Sequence, residues 1–222
     1  MPQLRVLSTL GLAGVLQDLA PRLPALDLQL APTQTLMGRI AAGERGDVAI
    51  LTDVAIDELV AGGILDGASR MDLARSHVGV AVRQGASRPD IATPEAFAAA
   101  LLRARSVALS RAGASGLHMA GLLDRLGIAD AVYRKAMVIP SGFTGELVAR
   151  GEAELAIQQI SELMMVPGLD ILGRLPQGIE GVSVFTAALF TGASDAAAPM
   201  LQALRAAAVL MQEKGLEPVL VP

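Results

Sequence analysis

The sequence predicts an α/β fold built on mostly parallel strands flanked by helices, and three observations predict it. Short apolar runs alternate with longer stretches of helical period almost from end to end, the order that belongs to parallel sheets covered by helices. Of 222 residues, 52% are hydrophobic and 18% charged, so the chain has material for a core and lies outside the composition of disordered sequences. No Pro- and Ser-rich linker divides it, which predicts two αβ blocks joined by strands rather than by a flexible tether.

The elements follow in order. Residues 5–7 form a short apolar strand. Leu12, Val15, Leu16, Leu19 and Leu23 then recur at a helical spacing. Apolar positions at Leu26, Leu28 and Leu30 alternate as in a strand. Thr33 is placed to cap a helix reaching Ala42, which Gly43 closes. Residues 47–51 read as a buried strand, and Thr52 or Asp53 caps a helix over 55–61 that ends at Gly62-Gly63. In a second block, residues 78–83 alternate as a strand. Thr93-Pro94-Glu95 combines a cap, a proline in the first helical position and an acid in the first turn, which predicts a helix reaching Arg103. Strands follow at 106–109, 136–139 and 155–158, with helices between them at about 114–126 and 142–150. Strands at 170–172 and 183–189 precede a long Ala/Leu helix over about 195–214, with Ser194 as its cap.

Composition excludes several function classes. The net charge is −4, and no basic block is interleaved with aromatics, which argues against a nucleic-acid partner. Cysteine is absent, so there is no disulfide scaffold, thiol catalysis or thiolate metal site. The two histidines, His77 and His118, are too few for the usual zinc enzyme, and no metal or cofactor is expected. With no Trp, one Tyr and four Phe, the chain is poorly equipped to stack a sugar or flat ring. No apolar run reaches the roughly 18 residues of a membrane span, so direct membrane insertion is not expected. The N-terminal residues lack a signal peptide, which implies either a periplasmic protein whose signal was removed or a cytoplasmic one. The phosphate loops GxGxxG and GxxxxGK[ST] are missing, as is the GxSxG elbow.

What remains is a set of polar loops after strands. In open α/β sheets, ligands bind outside the carboxyl ends of strands, where helix N-termini offer unpaired N–H groups to anions. Ser8-Thr9, Thr52-Asp53, Ser110 with Ala114-Ser115-Gly116, and Gln158-Gln159-Ile160-Ser161 all fall there. Taken singly, each reads as an ordinary cap. Their recurrence in one topological position points to a small anionic ligand.

The ordered set RGDVAIL (45–51), LARSHVGVAVR (73–83), GASRPDIATPEA (85–96), GEAELAI (151–157) and KGLEP (214–218) resembles the type II periplasmic solute-binding proteins, in particular the molybdate-binding-like family. The resemblance implies a two-lobed fold with the ligand in a cleft, lobe one at about 1–78 plus 184–222 and lobe two at about 79–183. It implies an anion held by neutral hydroxyls and backbone amides, carried over here to Ser8, Thr9, Thr52, Ser115 and Gly116. It also implies membrane subunits of an ABC-type transporter as partners. Two departures stand out. Gln159 occupies the place where molybdate binders of the family carry a tyrosine, and Arg75 and Ser76 lie where the chain approaches the crossover. An Arg matches a carboxylate bidentately, so an organic polycarboxylate is expected over a molybdate-type oxyanion; Arg75 as a surface or hinge ion-pair residue is the competing role. The resemblance extends to an isomerase branch acting on aconitate. For such a reaction His118 is the plausible base, against the alternative of a helix residue satisfied by its neighbours. A binding protein is the main expectation from sequence and an isomerase of unsaturated tricarboxylates the alternative.

Overall fold

A computed structural model of the chain describes residues 3–23 and 25–219. The elements in chain order begin with β1 (Leu4–Ser8), α1 (Ala13–Leu19), β2 (Leu26–Leu30), α2 (Thr33–Ala41), β3 (Val48–Thr52) and α3 (Asp53–Ala61). The long strand β4 (Met71–Arg83) follows, then α4 (Pro94–Arg103), β5 (Val107–Ser110), α5 (Ala114–Arg125), α6 (Ala129–Tyr133) and β6 (Ala136–Ile139). The chain continues with α7 (Gly145–Ala149), β7 (Leu155–Gln159), α8 (Ile160–Leu163), β8 (Leu169–Arg174) and β9 (Val182–Leu189). It closes with α9 (Ala198–Ala206), α10 (Ala208–Glu213) and β10 (Glu217–Pro218). Contacts divide it into two compact units, Met1–Ser76 with Ser183–Pro222, and His77–Val182.

In the first unit β1 is central, parallel to β2 on one side and β3 on the other, with Ser8 in register with Leu30 and Ile50. β9 lies antiparallel to β3, and β10 pairs with the first half of β4. Both sheet faces are covered. On one, Leu4, Val6, Val48 and Ile50 pack with Leu12, Leu16, Phe185, Met200 and Leu204; on the other, Leu7, Ala49 and Leu51 pack with Leu36, Ile40 and Ile56. Successive residues of β1 and β3 therefore enter opposite cores, which is why these strands read as continuous apolar runs. Gly11 is required by this packing: a Cβ there would stand 2.3 Å from the buried Phe185 ring.

The second unit repeats the plan with β5 central, parallel to β6 and β7. The second half of β4 pairs antiparallel with both β7 and β8. Its cores gather Val80, Phe97, Leu101, Leu109, Leu122 and Ile157 on one face, and Ala81, Ala108, Leu147, Ala156 and Leu163 on the other. Thr93 caps α4 as the sequence predicts, its hydroxyl accepting from the Ala96 N–H at 3.1 Å.

The sheet is mixed rather than mostly parallel. Hydrogen-bonded strand order is β2-β1-β3-β9-β4-β7-β5-β6, with β8 and β10 also on β4, so one continuous order replaces two separate parallel sheets. The antiparallel pairs all involve β4 or β9, the strands that carry the chain from one unit to the other. β4 is much longer than the segment 78–83, because Met71, Leu73 and Ala74 already belong to the first core. The single helix over 195–214 is in fact a 3-10 turn, α9 and α10, broken at Ala207. Ser194 does cap its start, accepting from the Ala196 N–H at 3.2 Å.

Candidate functional site

The parallel register brings the polar loops of each unit to the carboxyl ends of adjacent strands. In the first unit β1, β2 and β3 end side by side at Ser8, Leu30 and Thr52. The loops beyond them are tied together: Thr9 N–H donates to the Ile50 carbonyl at 2.8 Å and Ala31 N–H to the Ser8 carbonyl at 3.2 Å. Ser8 and Thr9 are buried there, and Thr52 is half-buried. The Ser8 hydroxyl is already committed, donating to the Thr9 carbonyl at 3.0 Å. Thr52 occupies the N-cap position of α3, yet its side chain makes no capping bond. Asp53 instead accepts from its neighbour Val54 N–H at 2.9 Å.

Thr33 differs from its expected role. Pro32 is the N-cap of α2, and Thr33 is the first helical residue. Its hydroxyl is buried with no hydrogen-bond partner. Removing a hydroxyl from water without a replacement bond costs roughly 1–3 kcal/mol. An unpartnered hydroxyl at a strand-end helix head is therefore suited to receive a ligand oxygen.

The second unit presents the same arrangement around β5. Ser110 ends the strand, and its Oγ accepts from Gly113 N–H at 3.2 Å, shaping the turn into α5. Gly116 sits so close that a Cβ would lie 2.0 Å from the Ser110 carbonyl oxygen. Its role is to let the helix head close on the strand end, which places Ser115. The Ser115 hydroxyl, 1% exposed, has no partner. Beyond β7, Gln159 is buried at the N-cap of α8, and the buried Ser161 hydroxyl is again without a partner. Gln158 is structural: its Oε1 accepts from the Thr144 N–H at 2.7 Å and hydroxyl at 3.0 Å, and its Nε2 donates to the Gly142 carbonyl.

His118 stands one helical turn past Ser115, on the same face of α5. Its Nε2 lies 3.1 Å from the Ile179 carbonyl. A carbonyl only accepts, so Nε2 is the donor, and in the neutral ring Nδ1 carries the lone pair. Gly181 closes over the ring; a Cβ there would stand 2.8 Å from His118 Cδ2. Strand alternation separates the remaining pair. On β4 Ser76 is buried and Arg75 exposed, opposite Glu217 of β10, so the two side chains leave opposite faces. A single ligand beside this strand meets one of them.

The sequence reading thus placed Ser8, Thr9, Thr52, Ser115 and Gln159 at strand ends, while it passed over Thr33 as a cap and did not single out Glu162. Glu162, in α8, is buried, and burial pushes its carboxyl up to about 8 against hydrogen bonds from the Gln159 N–H and the Gln158 side chain. Its one sequence signal was its place three residues after the helix cap. Among the described residues no group of three or more His, Asp or Glu is arranged to hold a metal ion, and no helix is long and apolar enough to cross a membrane.

Comparison with known proteins agrees with this architecture. The chain is 38% identical, over 97% of its length and 88% of the relative's, to an aconitate isomerase from a Pseudomonas species. Its fold is similar to the periplasmic molybdate-binding protein of Azotobacter vinelandii, with a TM-score of 0.80 at 18% identity, covering 99% of this chain and 100% of that one. It is also similar to the sulfate-binding protein SubI of Mycobacterium tuberculosis H37Rv, with a TM-score of 0.71 at 15% identity, covering 99% and 88%. The model of the bacterial extracellular solute-binding proteins matches residues 4–217, and the chain belongs to that family.

Proposed function

We propose that the protein is an isomerase of small unsaturated tricarboxylates, interconverting the aconitates. The observation that carries this reading is the near full-length identity to an aconitate isomerase. The geometry is in keeping with it. Each unit offers neutral donors suited to a carboxylate: the hydroxyls of Thr9, Thr33 and Thr52 in the first, and those of Ser115 and Ser161, with Gln159, in the second. Hydrogen bonds to a charged group contribute about 1.5–3 kcal/mol each, so several such donors hold an anion without a lysine.

The reaction is an allylic proton shift. A base removes a proton from the substrate methylene, the electron pair forms the new carbon–carbon double bond, and the former alkene carbon takes up a proton. Composition is unchanged and no co-reactant is consumed. His118 is the base in this reading: its Nε2 is anchored to the Ile179 carbonyl, which leaves Nδ1 of the neutral ring to take the proton. Fixed hydroxyl dipoles stabilise the negative charge that spreads onto the carboxylates in the transition state. Substrate followed by proton NMR in deuterated water tests this. Interconversion of cis- and trans-aconitate with deuterium uptake is expected, and at least ~100-fold slowing by His118→Ala. Binding without interconversion overturns the reaction.

Family membership favours a second reading, in which the same donors capture an anion for transport without turnover. A thermal-shift panel with molybdate, tungstate, sulfate, citrate and the aconitates separates the ligands. At ~100 times its dissociation constant a ligand adds about 2.7 kcal/mol. A response to the metal oxyanions alone overturns the carboxylate reading.

A further inference from the structure

The turn from β7 into α8 carries a group that the proposed reaction does not use. Glu162 is the third residue of α8. Its buried carboxyl reaches back to accept from the N–H of Gln159, the N-cap, in the manner of a capping box. The Gln158 side chain also hydrogen-bonds it. Gln158 is fixed at its other end by Thr144 and Gly142. A buried polar network therefore runs from the loop before α7, through Gln158, to Glu162, and ends on the backbone of Gln159. The turn held this way presents Ser161, whose buried hydroxyl has no partner.

We propose that Glu162 is a positioning residue for the anion, fixing the turn that offers Gln159 and Ser161. The inference rests on the reading that this turn meets the ligand. Glu162 acts as the uncharged acid. Burial opposes its ionisation, and the two hydrogen bonds only partly offset that. β7 carries no titratable side chain, while β8 carries Asp170 and Arg174, and β4 carries Asp72 and Arg75 in its first half and His77 and Arg83 in its second. The Asp170 carboxylate is engaged with Gly85 N–H at 3.0 Å, and on α7 Glu146 pairs with Arg150. Burial is the main influence on the proton affinity of Glu162, opposed by the two bonds. Loss of the proton buries a negative charge next to the anion donors, so affinity for an anion falls above pH about 8.

The test is titration calorimetry with cis-aconitate between pH 6 and 9.5 on the wild type, Glu162→Gln and Glu162→Ala. The wild-type dissociation constant is expected to be flat to about pH 7.5, then to rise by up to about tenfold per pH unit. Glu162→Gln keeps the hydrogen-bonding shape of the neutral acid. It should bind within about threefold of wild type at pH 7 and lose the alkaline rise, whereas Glu162→Ala should weaken binding at least ~tenfold. A Glu162→Gln variant that keeps the rise, or binds as weakly as Glu162→Ala, overturns the proposal. Carboxyl carbon NMR on the free wild type reads the positioning role without ligand. A Glu162 midpoint below about 6, or a Gln159 amide that ignores the titration, overturns it. Failure of the wild type to bind any aconitate overturns the proposed function instead.

Discussion

Replacing Gly116 by Ala tests the account of how the α5 head is placed. In a helix interior this change ordinarily stabilises by about 1 kcal/mol, because alanine loses less conformational freedom than glycine. Here the new Cβ would stand 2.0 Å from the Ser110 carbonyl oxygen and 2.7 Å from its carbon. Ordinary contact is beyond about 3.4 Å, so helix head or strand end must move by more than an ångström. Both partners are backbone, and no rotamer change relieves the clash. Overpacking of this kind costs about 1–3 kcal/mol, and the rigid partners put it at the upper end. The net loss is about 2 kcal/mol, or roughly 4–8 °C in Tm for a chain of this size. Gly121, in the same helix, is the internal control: nothing lies within 4 Å of its Cβ position. Gly121→Ala should gain about 1 kcal/mol. Urea and thermal unfolding of both variants read the difference. If Gly116→Ala is as stable as wild type while Gly121→Ala gains, the helix head slides freely. The strand end then does not fix Ser115.

Ser115→Ala should stabilise the free protein by about 1–3 kcal/mol, since it removes a buried hydroxyl that has no partner, yet weaken aconitate binding measured by calorimetry; unchanged affinity removes Ser115 from the site. The Arg39 and Arg5 guanidiniums hold the Glu44 carboxyl down at about 2 against its ordinary 4.5. Its folded value is depressed, so its stabilisation is present above pH 4.5 and lost as pH falls toward 2; denaturant melts across that window should show a shallower acid limb in Glu44→Gln. Glu162 has the opposite sign. Its folded value, about 8, exceeds its ordinary 4.5, so stability falls as pH rises across that interval, by at most about 1.4 kcal/mol per pH unit, and Glu162→Gln should flatten the slope. Thr93→Ala should cost about 1 kcal/mol through loss of the α4 cap, read by chemical denaturation.

The sequence was most legible where local chemistry and packing agree. β2 and β6 fall on the predicted residues, and α4 begins where Thr93-Pro94-Glu95 says it should. It was least legible where an element is short or carried by distant contacts. α8 has four residues and β10 two, too few to show a period. The first half of β4 ends in three successive polar residues, Arg75, Ser76 and His77, which hide the strand in the sequence although burial still alternates there. The break between α9 and α10 falls at a buried alanine, with no Gly or Pro to announce it. The donors at Ser115 and Gln159 were readable because topology alone puts strand ends beside helix heads. Thr33 and Glu162 were not. A threonine before a helix resembles any cap, a glutamate in a first helical turn resembles a solvated one, and only burial separates these cases.

The division of the chain also orders its making. The second unit is one uninterrupted segment, His77–Val182, whereas the first is assembled from both ends of the chain. β3 waits for β9, and the core around Leu4, Val6 and Leu16 lacks Phe185, Met200, Leu204 and Met211 until the last quarter of the chain has been synthesised. During translation the second unit has all of its strands available while the first still shows an unfilled apolar face. That face is the part of the nascent chain on which a chaperone would act. A chain ending shortly after Val182 would hold every strand of the second unit and only part of the first.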